Sequence, residues 1–177
     1  MRTWVGVVLA SAMASGAARA QEAGPATVEA MRSLAFLVGE WEGEAWTQTG
    51  PGQRLTFRQT ESVRFSTSGH ALFIEGAGWE RAPDGTERLA FNAAAILTHE
   101  PSAGYTMRSA LMEGRTGEFA VVPSDSGFTW GFETPQGGKV RYAMRLTPEG
   151  AWRETGEFSA DGTSWQQFFE MVVRRVP

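Results

Sequence analysis

Gln53-Arg54-Leu55-Thr56-Phe57-Arg58-Gln59-Thr60-Glu61-Ser62-Val63-Arg64-Phe65 changes character at every step. Leu55, Phe57, Gln59, Glu61, Val63 and Phe65 fall on one side, and Arg54, Thr56, Arg58, Thr60, Ser62 and Arg64 on the other. A period of two belongs to a β-strand, whose successive side chains point to opposite faces. One face is mostly apolar and the other wholly polar, so this strand covers a core with one side and meets water with the other.

The same alternation recurs on both sides of this stretch. Runs at about 40–48, 70–80, 87–98, 104–113, 116–122, 127–134, 138–147, 151–159 and 164–175 are rich in Val, Phe, Trp, Tyr and Thr. Turn-forming pairs separate many of them: Ser68-Gly69, Asp84-Gly85, Ser126-Gly127, Gly137-Gly138, Glu149-Gly150 and Asp161-Gly162. Strands joined by such short links are antiparallel neighbours. An open sheet of that many strands would leave two long edges, which closure removes. The expected fold is therefore all-β, an up-and-down antiparallel barrel of eight to ten strands, with a two-sheet sandwich as the alternative. Arg54, Arg58 and Arg64 on the outer face, repeated by Arg141 and Arg145, are the reverse of a barrel facing lipid, so no membrane insertion is expected.

Before the first strand the period is helical. Val28, Met31, Ala35 and Val38 repeat at helix spacing, widened by Leu34 and Leu37, after Thr27 as a candidate N-cap. The spacing predicts one short helix over about 27–37, ended near Gly39. Upstream, Arg2, the apolar run from Trp4 to Met13 and Ala18-Arg19-Ala20 form the three-part pattern of a secretory signal. The expected organisation is a signal peptide at 1–20, a flexible lead-in at 21–26 and a single domain at 27–177, with a periplasmic or secreted location. Cleavage would remove Arg2 and Arg19 and no acid, leaving a product two units more negative than the −4 of the whole chain.

Composition narrows the chemistry. The chain has 177 residues, enough for one core, and no Cys, so disulfide scaffolds, thiolate metal sites and cysteine nucleophiles are excluded. An acidic net charge argues against a nucleic-acid partner. There is no nucleophile elbow, P-loop, dinucleotide fingerprint or H-E-x-x-H, and no catalytic residue is assigned. His70 and His99 are placed at strand ends on the exposed rim, and no metal site is expected.

Gly39-Glu40-Trp41 at the helix-to-strand junction, together with Arg174-Arg175 at the end of the last strand, resembles the lipocalin-like (calycin) signature. That resemblance implies a Trp packed across the barrel base beneath a basic residue of the last strand, and Gly39, Trp41 and Arg174 are assigned to this closure. The longer stretches Leu37-Val38-Gly39-Glu40-Trp41-Glu42-Gly43-Glu44, Trp152 to Phe158, Asp161 to Trp165 and Phe169-Glu170-Met171 resemble a bacterial lipocalin-like family of unknown function. The opening is also similar to that of nitrobindin-type haem barrels. Those bind haem through a His close to the C-terminus, whereas this chain has no His after position 99. No cofactor is expected, haem included.

Extending the apolar stripe of each strand defines an interior. It holds Gln59 and Glu61, then Tyr105, Met107, Ser109 and Leu111, then Phe128, Trp130 and Phe132, then Val140, Tyr142, Met144 and Leu146. Trp152, Glu154 and Phe158 follow, then Trp165, Gln167, Phe169 and Met171. Most of the Trp residues are expected to fill the core. Aromatic walls with sparse polar groups make a small-molecule site, here Gln59, Glu61, Ser109, Trp130, Tyr142, Glu154 and Gln167. Buried carboxylates need donors, for which Tyr142, Gln59 and Gln167 are the candidates. The functional expectation is an exported protein holding a small, largely apolar molecule. The alternatives are an enzyme working in the same cavity, and a packed barrel that binds a protein partner.

Overall fold

The computed structural model describes residues 24–177. The expected signal peptide lies outside the described residues, as do residues 21–23 of the lead-in. A short helix, α1 (Pro25–Arg32), is followed by a 3-10 turn at Ala35–Leu37. The helix starts two residues earlier than the spacing predicts. Gly24 takes the N-cap place and Pro25 opens the first turn, where a missing N–H costs nothing, so Thr27 is helical and caps nothing.

Ten strands follow. They are β1 (Gly39–Gly50), β2 (Gln53–Phe65), β3 (Ala71–Arg81), β4 (Glu87–Glu100) and β5 (Gly104–Leu111). The second half is β6 (Thr116–Ser124), β7 (Gly127–Glu133), β8 (Lys139–Leu146), β9 (Trp152–Ser159) and β10 (Gln166–Arg175). Every strand pairs antiparallel with its neighbours in sequence, and β1 pairs with β10 to close the barrel. No sandwich forms. At the closing seam Gly43 is required, because a Cβ there would overlap the Val172 carbonyl on β10.

The register gives the barrel a closed and an open end. At the closed end Met31, Leu34 and Leu37 are fully buried as a plug. The Tyr105 hydroxyl donates to Ala30 O at 2.7 Å and ties the helix to β5. Trp41 lies across the base, its indole donating to Leu37 O at 2.8 Å and meeting Trp152 edge-on at 5.7 Å between centroids. The cation above the Trp41 ring is Arg175, with its guanidinium carbon 4.2 Å from the centroid. This corrects the assignment of Arg174. Trp41 pairs with Arg175 and Glu42 with Arg174, so Arg174 points away from the base. Arg175 also donates to Phe36 O and Val38 O, satisfying carbonyls that the end of the 3-10 turn leaves free.

The outer wall carries ion pairs: Arg58–Glu87 at 2.9 Å, Arg108–Glu118 and Arg141–Glu157 at 2.7 Å, and Arg153–Glu170. Trp46, Trp79 and Trp165 also lie on this wall, beneath Arg54, Arg58 and Arg141. They do not fill the core as expected. An indole covered by a guanidinium is a stable surface arrangement, worth about 0.5–1 kcal/mol when exposed.

Candidate functional site

The inward face of β2 is the one its alternation predicts. Phe57, Gln59, Glu61 and Val63 are buried, whereas Arg54 and Arg64 are exposed. Gln59 is 2% exposed and Glu61 8%. Glu61 stands beside Trp41 of β1 and Gly76 of β3. A Cβ at Gly76 would sit 2.7 Å from its carboxylate, so only glycine leaves the acid room. Gln59 Nε2 donates to Glu61 Oε1 at 2.7 Å, but Gln59 Oε1 is buried with no partner.

Glu154 enters from β9, between Met144 and Met171 and two residues above Trp152. The two acids therefore rise from the Trp41–Trp152 floor. Burial pushes Glu61 up to about 8, with the charge of Glu154 adding to the rise and the Gln59 hydrogen bond opposing it. Burial likewise lifts Glu154 to about 7, opposed by the Trp152 and Trp130 indoles. The Trp152 nitrogen acts on this carboxylate but stands outside hydrogen-bond geometry, and it is buried and unpaired. Tyr142 makes no hydrogen bond to either acid. Burial first, then the charge of Glu154, push its hydroxyl well above the usual phenol range, and Arg115 acts in the opposite sense.

Above the acids the two sides of the lumen differ. On β6–β10 the wall is aromatic. Trp130 and Tyr142 stack at 4.3 Å and 8°, Phe119 lies 4.8 Å from Trp130, and Phe168 and Phe169 meet Tyr142 edge-on at 5.8 and 6.1 Å. On β3–β5 the inward positions carry small residues: Gly76, Gly78, Ala93, Ala95 and Ser109. The bulk of the inward side chains at this level is thus concentrated on β6–β10. Ser109, Phe119, Trp130, Tyr142, Glu154 and Phe169 all point inward and all keep accessible surface. Phe91, Phe132 and Phe158, 36–41% exposed, ring the open mouth.

Six of the seven expected interior residues point into the barrel: Gln59, Glu61, Ser109, Trp130, Tyr142 and Glu154. Gln167 does not. A bulge between Gln167 and Phe169 shifts the register of β10. Gln167 turns to the outer wall, donating to Glu170 Oε2 at 3.2 Å, and Phe168 takes the inward place. Trp165, also expected inside, lies outside under Arg141 at 3.9 Å. His99 is half-buried, its ring tilted against Tyr105 at 4.6 Å between centroids with Nδ1 buried and unpaired, rather than exposed on the rim. Among the described residues no three His, Asp or Glu side chains are arranged to hold a metal ion. A second concavity, of about 750 Å³, lies on the outer wall between Arg64, Phe73, Ile96 and Arg108. The alternation alone gave no sign of it, because its lining comes from five neighbouring strands, β2 to β6.

No family model matches the chain. No curated protein matches it. Among solved structures it is similar to Rv2717c from M. tuberculosis, with 12% sequence identity and a TM-score of 0.59, over 84% of this chain and 98% of that one. At that identity the likeness is one of fold alone: a closed antiparallel β-barrel, here of ten strands with a short helix at its base.

Proposed function

We propose that the chain is an exported binding protein that takes a small, largely apolar molecule into the barrel through the open mouth. The observation that carries this reading is the accessible surface on Glu154. Burial dominates the titration of its carboxyl, yet the residue as a whole keeps accessible surface inside the barrel. Aromatic walls supply apolar contact, and the few polar groups at the floor orient the guest. The packed-barrel alternative needs a filled lumen, which this surface does not support. The ion-paired outer wall supports a barrel that meets water. Export rests on the pattern at Ala18-Arg19-Ala20, and N-terminal sequencing of the exported protein should then begin at Gln21.

The test is native mass spectrometry of protein isolated from its source without denaturant. A mass excess that disappears on unfolding is expected, and Ala95→Trp, which fills the lumen opposite the aromatic wall, should abolish it. A wild-type protein that carries no excess and binds no apolar probe would refute the reading. An enzyme in the same cavity would use Glu61 and Glu154 as acid and base. It would turn over its guest, and Glu61→Gln would stop turnover.

A further inference from the structure

The lumen has more acceptors than donors at its floor, and among the described residues no cation inside answers them. The ion pairs among the described residues all lie on the helix, the outer wall or the hairpins. Arg175 lies against Trp41 at the base and is already committed to two backbone carbonyls. Arg115, in the hairpin at the mouth, bonds Glu113. Glu61 and Glu154 lie inside the barrel, and beside Glu61 the Gln59 Oε1 is buried with no partner. A neutral apolar guest would leave the two carboxyls with only the donors they already have, Gln59 for Glu61 and the Trp152 and Trp130 indoles near Glu154. A cationic head would meet two carboxylates, a free amide oxygen and the faces of Trp130 and Tyr142, which attract cations through their quadrupoles.

We infer that the guest is an organic cation, an amine or quaternary ammonium group on an apolar body, with its head between Glu61, Glu154 and Gln59 and its body along Trp130 and Tyr142. This rests on the binding reading above and adds the ligand class to it. The groups that titrate around the head are Glu61, Glu154 and, far above neutrality, Tyr142, with Arg115 acting from the mouth. A cation is held by the ionised acids, so its affinity rises with pH through the range in which they lose their protons, about 7 to 8.

The probes are benzyltrimethylammonium, whose charge does not titrate, and neopentylbenzene, its neutral isostere. Binding to the wild-type chain is followed by calorimetry and tryptophan fluorescence at pH 5.5 and 8.5. At pH 8.5 the cation should bind about 10- to 100-fold more tightly than the isostere, the range of a charge-assisted contact. That preference should shrink at pH 5.5. The Glu61→Gln/Glu154→Gln double variant, its fold checked by near-UV circular dichroism, should bring the ratio close to one. Glu75→Gln on the outer wall should leave it as in wild type. An isostere that binds as tightly as the cation at pH 8.5 would overturn the ligand class while leaving the binding reading intact. If neither probe binds the wild-type lumen, both fall.

Discussion

Raising the pH should weaken the fold, because of Glu61. Its carboxyl is pushed up to about 8 in the folded chain, from an ordinary value near 4.5. Below the ordinary value the group is protonated in both states and has no effect. Between the two values the unfolded chain ionises while the folded one holds its proton, so stability falls with pH until it levels off above about 8. Each pKa unit corresponds to about 1.4 kcal/mol, which puts the full fall at about 3–5 kcal/mol. Glu154 acts in the same direction but shares its titration with Glu61, so the two contributions do not simply add. At roughly 2–4 °C per kcal/mol for a chain of this size, Tm should drop by about 10 °C between pH 5 and pH 9. Carboxylates on the surface slope the other way. Hydrogen bonds hold Asp84, Glu87, Glu113, Glu149 and Asp161 below their usual values, so they lose stability only as the pH falls beneath the ordinary carboxylate range. Stability should therefore peak near pH 5. The assay is urea unfolding of refolded, ligand-free protein from pH 4 to pH 9, alongside Glu61→Gln, whose curve should be flatter and higher at pH 8. A wild-type stability that is level or rising between pH 5 and pH 9 would refute the burial of this carboxyl.

Further outcomes concern the base and the seam. Arg175→Ala should cost about 2–3 kcal/mol by urea unfolding, since it removes the cation over Trp41 and two carbonyl hydrogen bonds, whereas Arg174→Ala should cost under about 0.5 kcal/mol. Tyr105→Phe loses the bond to Ala30 O, and should cost about 1 kcal/mol and speed amide exchange in α1 without changing exchange in β7 and β8. Gly43→Ala drives a methyl group into the Val172 carbonyl at the closing seam, and should destabilise the barrel by about 2–4 kcal/mol in the same assay.

The strands and the sign of each face were legible because alternation is local. Leu55 to Phe65 announces one buried side without reference to any other part of the chain. Closure was legible from strand number and short turns. What stayed hidden depends on pairing between distant strands. Arg174 and Arg175 are adjacent, and only the register of β10 on β1 decides which one reaches Trp41. The bulge beside Phe168 reverses the faces of Trp165 and Gln167, and nothing in Gln166-Gln167-Phe168-Phe169 marks it. Trp46 and Trp79 resemble core residues in sequence. They stay outside because Arg54 and Arg58 cover their rings from across the β1–β2 and β2–β3 ladders. The acid floor was legible as two residues on inward faces. The uneven lining was not, since it comes from small Ala95 and Ser109 on β4 and β5 against large Trp130 and Tyr142 on β7 and β8, which alternation within one strand does not show.

Xenon-pressurised crystals probe the lumen most directly, because xenon enters apolar voids and ignores charge. A xenon peak in contact with Trp130, Phe119 and Ala95, above Glu154, is predicted. Xenon bound only on the outer wall, near Ile96 and Phe73, with side chains filling the space in front of Glu154, would show that the barrel has no room for a guest.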